Sequence, residues 1–129
     1  MLLKKASGAI ITTGSISRLF GEPALTMYTA SKAAVVNLAR SLAIDYARLG
    51  IGVTCVCPRW VDTGFNDPQF LHDELSDADI NELIDRKVPM GRQGLPEELA
   101  PAVAFLAMQV ASYTAGQTSV VDRGMLCHV

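Results

Sequence analysis

With 129 residues, half of them hydrophobic and 19% charged, the chain has the composition of a globular domain and not of a disordered segment. Its net charge of −2 and pI near 5.6 give no electrostatic reason to expect nucleic acid or an anionic membrane surface as a partner. No apolar run approaches the ~18 residues needed to span a bilayer. The lysines and short apolar run at the start lack a small-residue cleavage pattern, so the expected location is cytoplasmic.

In chain order, Met1 to Ser7 read as the end of a helix stopped by Gly8. Residues 9–14 are an apolar run expected to form a buried strand, and 16–26 a loop punctuated by Gly21 and Pro23. From about Met27 to Leu49 the spacing is helical, with Ala34, Val35, Leu38, Leu42 and Tyr46 recurring at three to four residues. Ala33, Val36, Ala39 and Ala43 widen that face, predicting a helix covered on more than one side and ended by Gly50. Val53 to Cys57 reads as a second strand, terminated by Pro58.

Residues 59–75 are loop-like. Ser76 can cap a helix carrying Asp79 in its first turn, with Ile80, Leu83 and Ile84 on the buried face. Pro96 suits a first helical position, and Glu97 and Glu98 suit the positive end of the dipole. Pro101 removes a backbone donor and predicts a kink or a later start. Leu99, Val103, Leu106 and Val110 supply the apolar face, before a final strand near Gln117–Val121. Strand, helix, strand, helices, strand predicts an α/β parallel arrangement, with residues 1–129 as one domain and no internal repeat or linker.

Three cysteines, an odd number, argue against a disulfide framework. Cys55 and Cys57 stand two apart on a strand and so face one side of it. Cys127, His72 and His128 add possible ligands, but no CxxC or HExxH spacing joins them, and no metal site is expected.

The chemistry concentrates between Ser15 and Lys32. Tyr28 and Lys32 are four residues apart at the start of the long helix, which places their Cβ atoms about 5–6 Å apart on one face. A fixed ammonium beside a phenol favours its ionised form and eases proton exchange near neutrality. Ser15 ends the first strand thirteen residues before Tyr28, so a hydroxyl, a phenol and a cation can meet at one point. Tyr and Lys at this spacing are by themselves commonly a surface pair on a helix.

The wider pattern is more specific. GAIITTGS, then YTASK, then AAVVNLARSLAIDYARLGIGV, PRWVDT, RQGLPEELAPAVAFLA and GQTSVVDRG together resemble the short-chain dehydrogenase/reductase family over nearly the whole chain. The resemblance implies the C-terminal half of a Rossmann-like, doubly wound parallel sheet, with three strands and flanking helices. It implies hydride transfer between a secondary alcohol or ketone and NAD or NADP, and a homo-oligomer. Ser15, Tyr28 and Lys32 are the implied catalytic residues: Tyr28 as acid/base, Ser15 polarising the substrate oxygen, Lys32 assisting Tyr28 and holding the nicotinamide ribose. Tyr28, Lys32, Val61 and Thr63 are the implied cofactor contacts, the last two at the carboxamide. Residues 65–90 resemble the variable substrate lid, where Phe65, Phe70 and Leu71 suggest an apolar pocket.

Other family features do not match. Gly50 and Gly52 have the spacing of two glycines of a dinucleotide turn, but Cys55 stands in the third place, and they follow a helix and precede a strand. Thr13-Gly14 does not open the family's Thr-Gly-x-x-x-Gly-x-Gly, because Arg18 stands at a glycine position. The family carries that turn, its adenosine site and a further catalytic Asn upstream of the Ser, outside this chain. Thr54 replaces the usual Asn, Arg59 the Gly after the proline, and Asp122-Arg123-Gly124 the usual Asp-Gly-Gly. Arg59 either obstructs the cofactor or offers a guanidinium to a phosphate, and obstruction is the expectation. Two readings follow: an oxidoreductase, or a non-catalytic fragment that associates with related subunits.

Overall fold

The computed structural model describes residues 8–65 and 73–128. The expected helix end at Met1–Ser7 lies outside them. Gly8 opens the first strand, β1 (Gly8–Thr13), whose β-branched Ile-Ile-Thr-Thr favours extended backbone. A 3-10 turn at Ile16–Leu19 occupies part of the segment expected to be loop. Helix α1 (Thr26–Tyr46) continues into a 3-10 turn at Ala47–Leu49, and Gly50 ends it at φ +73°, a left-handed conformation in which glycine carries no Cβ penalty. Strand β2 (Ile51–Pro58), helix α2 (Asp77–Lys87), helix α3 (Pro96–Ala107) and strand β3 (Thr118–Val121) follow.

The three strands form one parallel sheet in the order β1-β2-β3. Gly8 to Thr13 pair with Ile51 to Val56, and Cys55 to Pro58 pair with Thr118 to Val121. The central strand is buried on both faces, which is why it reads as a continuous apolar run. Ile51, Val53, Cys55 and Cys57 alternate onto one face and meet Ile16, Val36, Ala39 and Ala43. Gly52 and Thr54 turn to the other face: the Thr54 hydroxyl donates to the Thr114 carbonyl, and a Cβ on Gly52 would lie 3.1 Å from that oxygen. Helix α3 packs across β1 and β2 there, giving a sheet covered on both sides by helices.

At the end of β1 the backbone passes unusually close to β2. A Cβ built on Gly14 would sit 2.8 Å from Cys57 Sγ and 2.9 Å from both Cys55 Sγ and Val36 Cγ2. Only glycine fits there without displacing one of the three side chains.

Helix α1 buries a narrower stripe than its sequence suggests. Val36, Ala39 and Ala43 carry the contact, flanked by half-buried Val35, Leu42 and Tyr46. The two alanines four residues apart let the helix approach β2 closely. Leu38 (53% exposed), Ile44 (79%) and Met27 (82%) face away from the sheet, so cover on more than one side is absent among the described residues.

Ser76 and Asp79 cap α2 reciprocally: Ser76 N–H donates to Asp79 Oδ2 at 2.9 Å and Asp79 N–H to Ser76 Oγ at 3.3 Å. Ile84 is the buried residue of this helix, with Ile80 and Leu83 half-buried beside it. Helix α3 starts at Pro96 and runs through Pro101. The donor that Pro101 lacks is the one Glu97's carbonyl would take, and that first turn is open to water. Leu99 and Leu106 are half-buried, whereas Val103 and Val110 are exposed, so the apolar face expected for α3 is only partly covered.

Candidate active site

Parallel pairing of β1 with β2 brings both carboxyl ends to one edge of the sheet, and the candidate residues follow those ends. Ser15 stands two residues past β1 in extended backbone and caps the 3-10 turn, its Oγ accepting from Ser17 N–H at 3.2 Å. The Ser15 and Ser17 hydroxyls share a 2.9 Å hydrogen bond, and both residues are buried. Lys32, in the second turn of α1, donates from Nζ to the Thr13 carbonyl at 3.1 Å. The same ammonium lies 5.6 Å from the centre of the Tyr28 ring, one turn earlier. Tyr28 is half-buried and its ring meets Phe65, centroids 5.6 Å apart and tilted by 42°. Phe65 therefore lies beside Tyr28; Phe70 and Leu71 lie outside the described residues.

The loop after β2 carries the other candidates. Val61 forms an isolated parallel bridge with Gly94, in which Asp62 N–H donates to the Gly94 carbonyl at 2.7 Å and Gly94 N–H to the Trp60 carbonyl at 2.9 Å. Extended backbone alternates its polar groups, so the N–H and C=O of Val61 itself point away from Gly94. Thr63 is exposed, and its Oγ1 accepts from Phe65 N–H at 3.4 Å.

Arg59 is the part of this region that spacing alone did not resolve. Its Nη1 donates to Ser17 Oγ at 3.1 Å and to the Glu22 carboxylate, and both members of this ion pair are largely buried. The guanidinium also lies 5.3 Å from the Phe20 ring and 5.5 Å from the Trp60 ring. Ser17, Phe20 and Glu22 were invisible as partners because Glu22 precedes Arg59 by 37 residues and only the β1–β2 register brings them together. The guanidinium is thus held by a carboxylate of this chain.

A second ion cluster sits at the ends of β2 and β3. Glu98 accepts from Arg92 Nη1 and Nη2, both at 2.9 Å, from Leu95 N–H at 2.8 Å, and from Arg123. These donors hold its carboxyl well below the usual carboxylate range, with Arg92 the largest cause. Asp122 is buried and accepts from Gly124 N–H at 3.0 Å and Leu126 N–H at 2.7 Å, fixing the turn after β3.

Cys55 and Cys57 are buried with their sulfurs 4.0 Å apart, and burial pushes the Cys57 thiol up, with Cys55 adding to the shift. Among the described residues no group of three His, Cys, Asp or Glu side chains has the geometry of a metal site. His72 and the His128 side chain lie outside that description. No described helix is long and apolar enough to cross a membrane.

Residues 1–126 match the family model described as enoyl-(acyl carrier protein) reductase. The chain is 42% identical over 117 residues to short-chain dehydrogenase fogB of Aspergillus ruber, covering 91% of this chain and 41% of that protein. It is 42% identical over 119 residues to the 3-oxoacyl-(acyl-carrier-protein) reductase FabG of Rickettsia bellii, covering 92% and 46%. A crystal structure of a putative NAD(P) dependent gluconate 5-dehydrogenase from Beutenbergia cavernae, with bound NADP at low occupancy, superimposes with a TM-score of 0.86 at 36% identity, covering 98% of this chain and 49% of that one. The chain spans about half the length of the curated relatives it matches. A three-stranded parallel sheet flanked by helices and these matches together show that the chain belongs to the short-chain dehydrogenase/reductase family.

Proposed function

We propose that residues 1–129 form the proton-handling part of a Rossmann-like domain in a cytoplasmic, NAD(P)-dependent oxidoreductase that interconverts a secondary alcohol and a ketone. The observation that carries this reading is Lys32, tied to the end of β1 beside Ser15 and lying against the Tyr28 ring. The residues present fit the nicotinamide end of such a cofactor. Lys32 and Tyr28 offer an amine and a phenol to ribose hydroxyls, and Val61 presents an N–H and a C=O that match an amide, with Thr63 two residues on. NAD(P), when bound, supplies or takes up the hydride.

This chain's residues handle the proton. Ser15 O–H donates to the substrate oxygen and orients it, once Ser17 takes the donor role in their shared bond. Tyr28 gives its phenolic proton to the forming alkoxide, or removes one from the alcohol in the reverse direction. Lys32 keeps a positive charge beside the phenol through both directions. The test is NAD(P)H-dependent ketone reduction by the full chain, alone or supplied with the N-terminal half of a relative. Tyr28→Phe is expected to lower the rate by ~10²–10⁴ while leaving the melting curve unchanged; near-normal rates would overturn Tyr28 as the proton donor.

The second reading, a non-catalytic chain that associates with related subunits, is favoured by the Arg59–Glu22 pair on the loop that would meet the nicotinamide and by the outer side of β1, with which no described residue pairs. Activity with any ketone would remove it.

A further inference from the structure

At the carboxyl ends of β2 and β3 lies a cavity of about 240 Å³, bordered by Arg59, Arg92, Arg123, Glu98 and Met90. We infer that this cavity binds a small oxyanion, a phosphate or carboxylate group, held chiefly by Arg123 and Arg92 with Arg59 at its edge. Three guanidinium groups border it, and two carboxylates answer them, Glu98 in the lining and Glu22 behind Arg59, in a chain whose net charge is −2. Glu98 is already divided between Arg92 and Arg123, so their charge is only half neutralised there. Donor capacity is also left over. Arg123 Nη1 rests on the Met90 thioether at 3.7 Å, a poor acceptor for a cation. An oxyanion offers several lone pairs in the planar spacing that guanidinium groups match, and would replace sulfur with a charged partner.

Backbone conformation points to the same place. Arg123 sits at φ +56° and Trp60 at φ +40°, left-handed values that disfavour any residue with a Cβ. Both lie beside the cavity: a Cβ on Gly94, between them, would be 3.7 Å from Arg123 Nε and 3.9 Å from the Trp60 carbonyl. Strain of this kind at side-chain-bearing residues collects at binding sites, where the side chain repays it. At a share of about 30 Å³ per water, the space holds several waters and so accepts a hydrated phosphate or carboxylate. The inference does not depend on the proposed reaction.

Trp60, the one tryptophan in the chain, stacks on Arg59 and reports on the cavity by its fluorescence. The full chain is titrated with inorganic phosphate and, separately, with malonate, against chloride at constant ionic strength so that general screening cancels. A saturable change in Trp60 emission with either probe supports the site, and the tighter of the two names the anion. Arg123→Gly keeps the left-handed backbone comfortable and the Arg59–Trp60 pair intact, and is expected to weaken binding about tenfold or more. Arg92→Gln, on an exposed side chain, gives an independent second variant with a smaller expected loss. A response no different from chloride, or equal affinities in wild type and both variants, would overturn the inference.

Discussion

Lys32 Nζ and the Thr13 carbonyl, 3.1 Å apart, pin the second turn of α1 to the last residue of β1. That bond sets the height of the helix above the sheet edge and uses one of the ammonium's three donors. Among the described residues nothing accepts from the other two, which can meet a ligand beside Tyr28. The same lysine thus positions the phenol and presents charge, and both tasks depend on Gly14 letting β1 turn past Cys55 and Cys57.

The first prediction concerns cofactor affinity. The described residues offer contacts for the nicotinamide and its ribose but no glycine-rich turn at a helix N-terminus for a pyrophosphate. Calorimetric titration of the full chain with NADH and with NADPH is expected to give binding weaker than micromolar. Lys32→Ala is expected to weaken any residual binding further. Micromolar affinity for either nucleotide would show that another segment holds the phosphates.

The second prediction tests the close approach at Gly14. Gly14→Ala places a methyl within 2.9 Å of two sulfurs and a valine methyl and is expected to cost about 1–3 kcal/mol in denaturant unfolding. Combining it with Cys57→Ala removes the nearest clash, so the double variant should lose less than the two single losses added. Additive losses would mean that the loop relaxes away from β2.

Much of this architecture was legible in the residues. The β-branched run at β1, the apolar run at β2, the Ser76–Asp79 cap and the Pro96 start each have a local cause; both strands formed within two residues of the expected bounds, and α3 began at Pro96 despite the later start or kink that Pro101 predicted. What was not legible depends on register. Apolar spacing alone did not say that Ala39 and Ala43, and not Leu38, would face β2, because size complementarity with the strand decides it. The family pattern marked Arg59 and Arg123 as departures, but their partners Glu22 and Glu98 lie 37 and 25 residues away and meet them only in the folded sheet. The places of Ser15, Tyr28 and Lys32 in the fold were readable because each sits at a strand end or helix start that the sequence itself defines.

The third prediction follows from the carboxyls of Glu98 and Asp79. Both are held below their ordinary values of 4.5 and 3.8, Glu98 chiefly by Arg92 and Asp79 by the Ser76 hydroxyl. Folded, each binds a proton less readily than in the unfolded chain. Their stabilisation is therefore complete above those ordinary values and is lost as pH falls below them. Melting temperature is expected to fall on acidification below about pH 4.5, and Glu98→Gln to lower it at neutral pH and flatten the acid limb. A variant with the same acid limb as wild type would show that Glu98 contributes nothing to the linkage.

The fourth prediction concerns assembly. Strand β1 pairs with β2 on one side, and among the described residues nothing pairs with the other. Its backbone there presents N–H and C=O groups in an extended row, which recruits another strand or drives aggregation. Helix α1 adds apolar surface, because Met27, Leu38 and Ile44 project away from the sheet. Phe105, Met108 and Val110 do the same on and just beyond α3. Exposed apolar side chains of this size on both faces of a small protein favour association. The chain in isolation is expected to form homo-oligomers or larger assemblies at micromolar concentration, as read by light scattering after size exclusion. Leu38→Glu with Ile44→Glu should shift the distribution towards smaller species without lowering the melting temperature, since neither side chain packs on β2. A monodisperse wild-type monomer with one cooperative melt would overturn the prediction and mean that residues outside 8–65 and 73–128 cover the β1 edge.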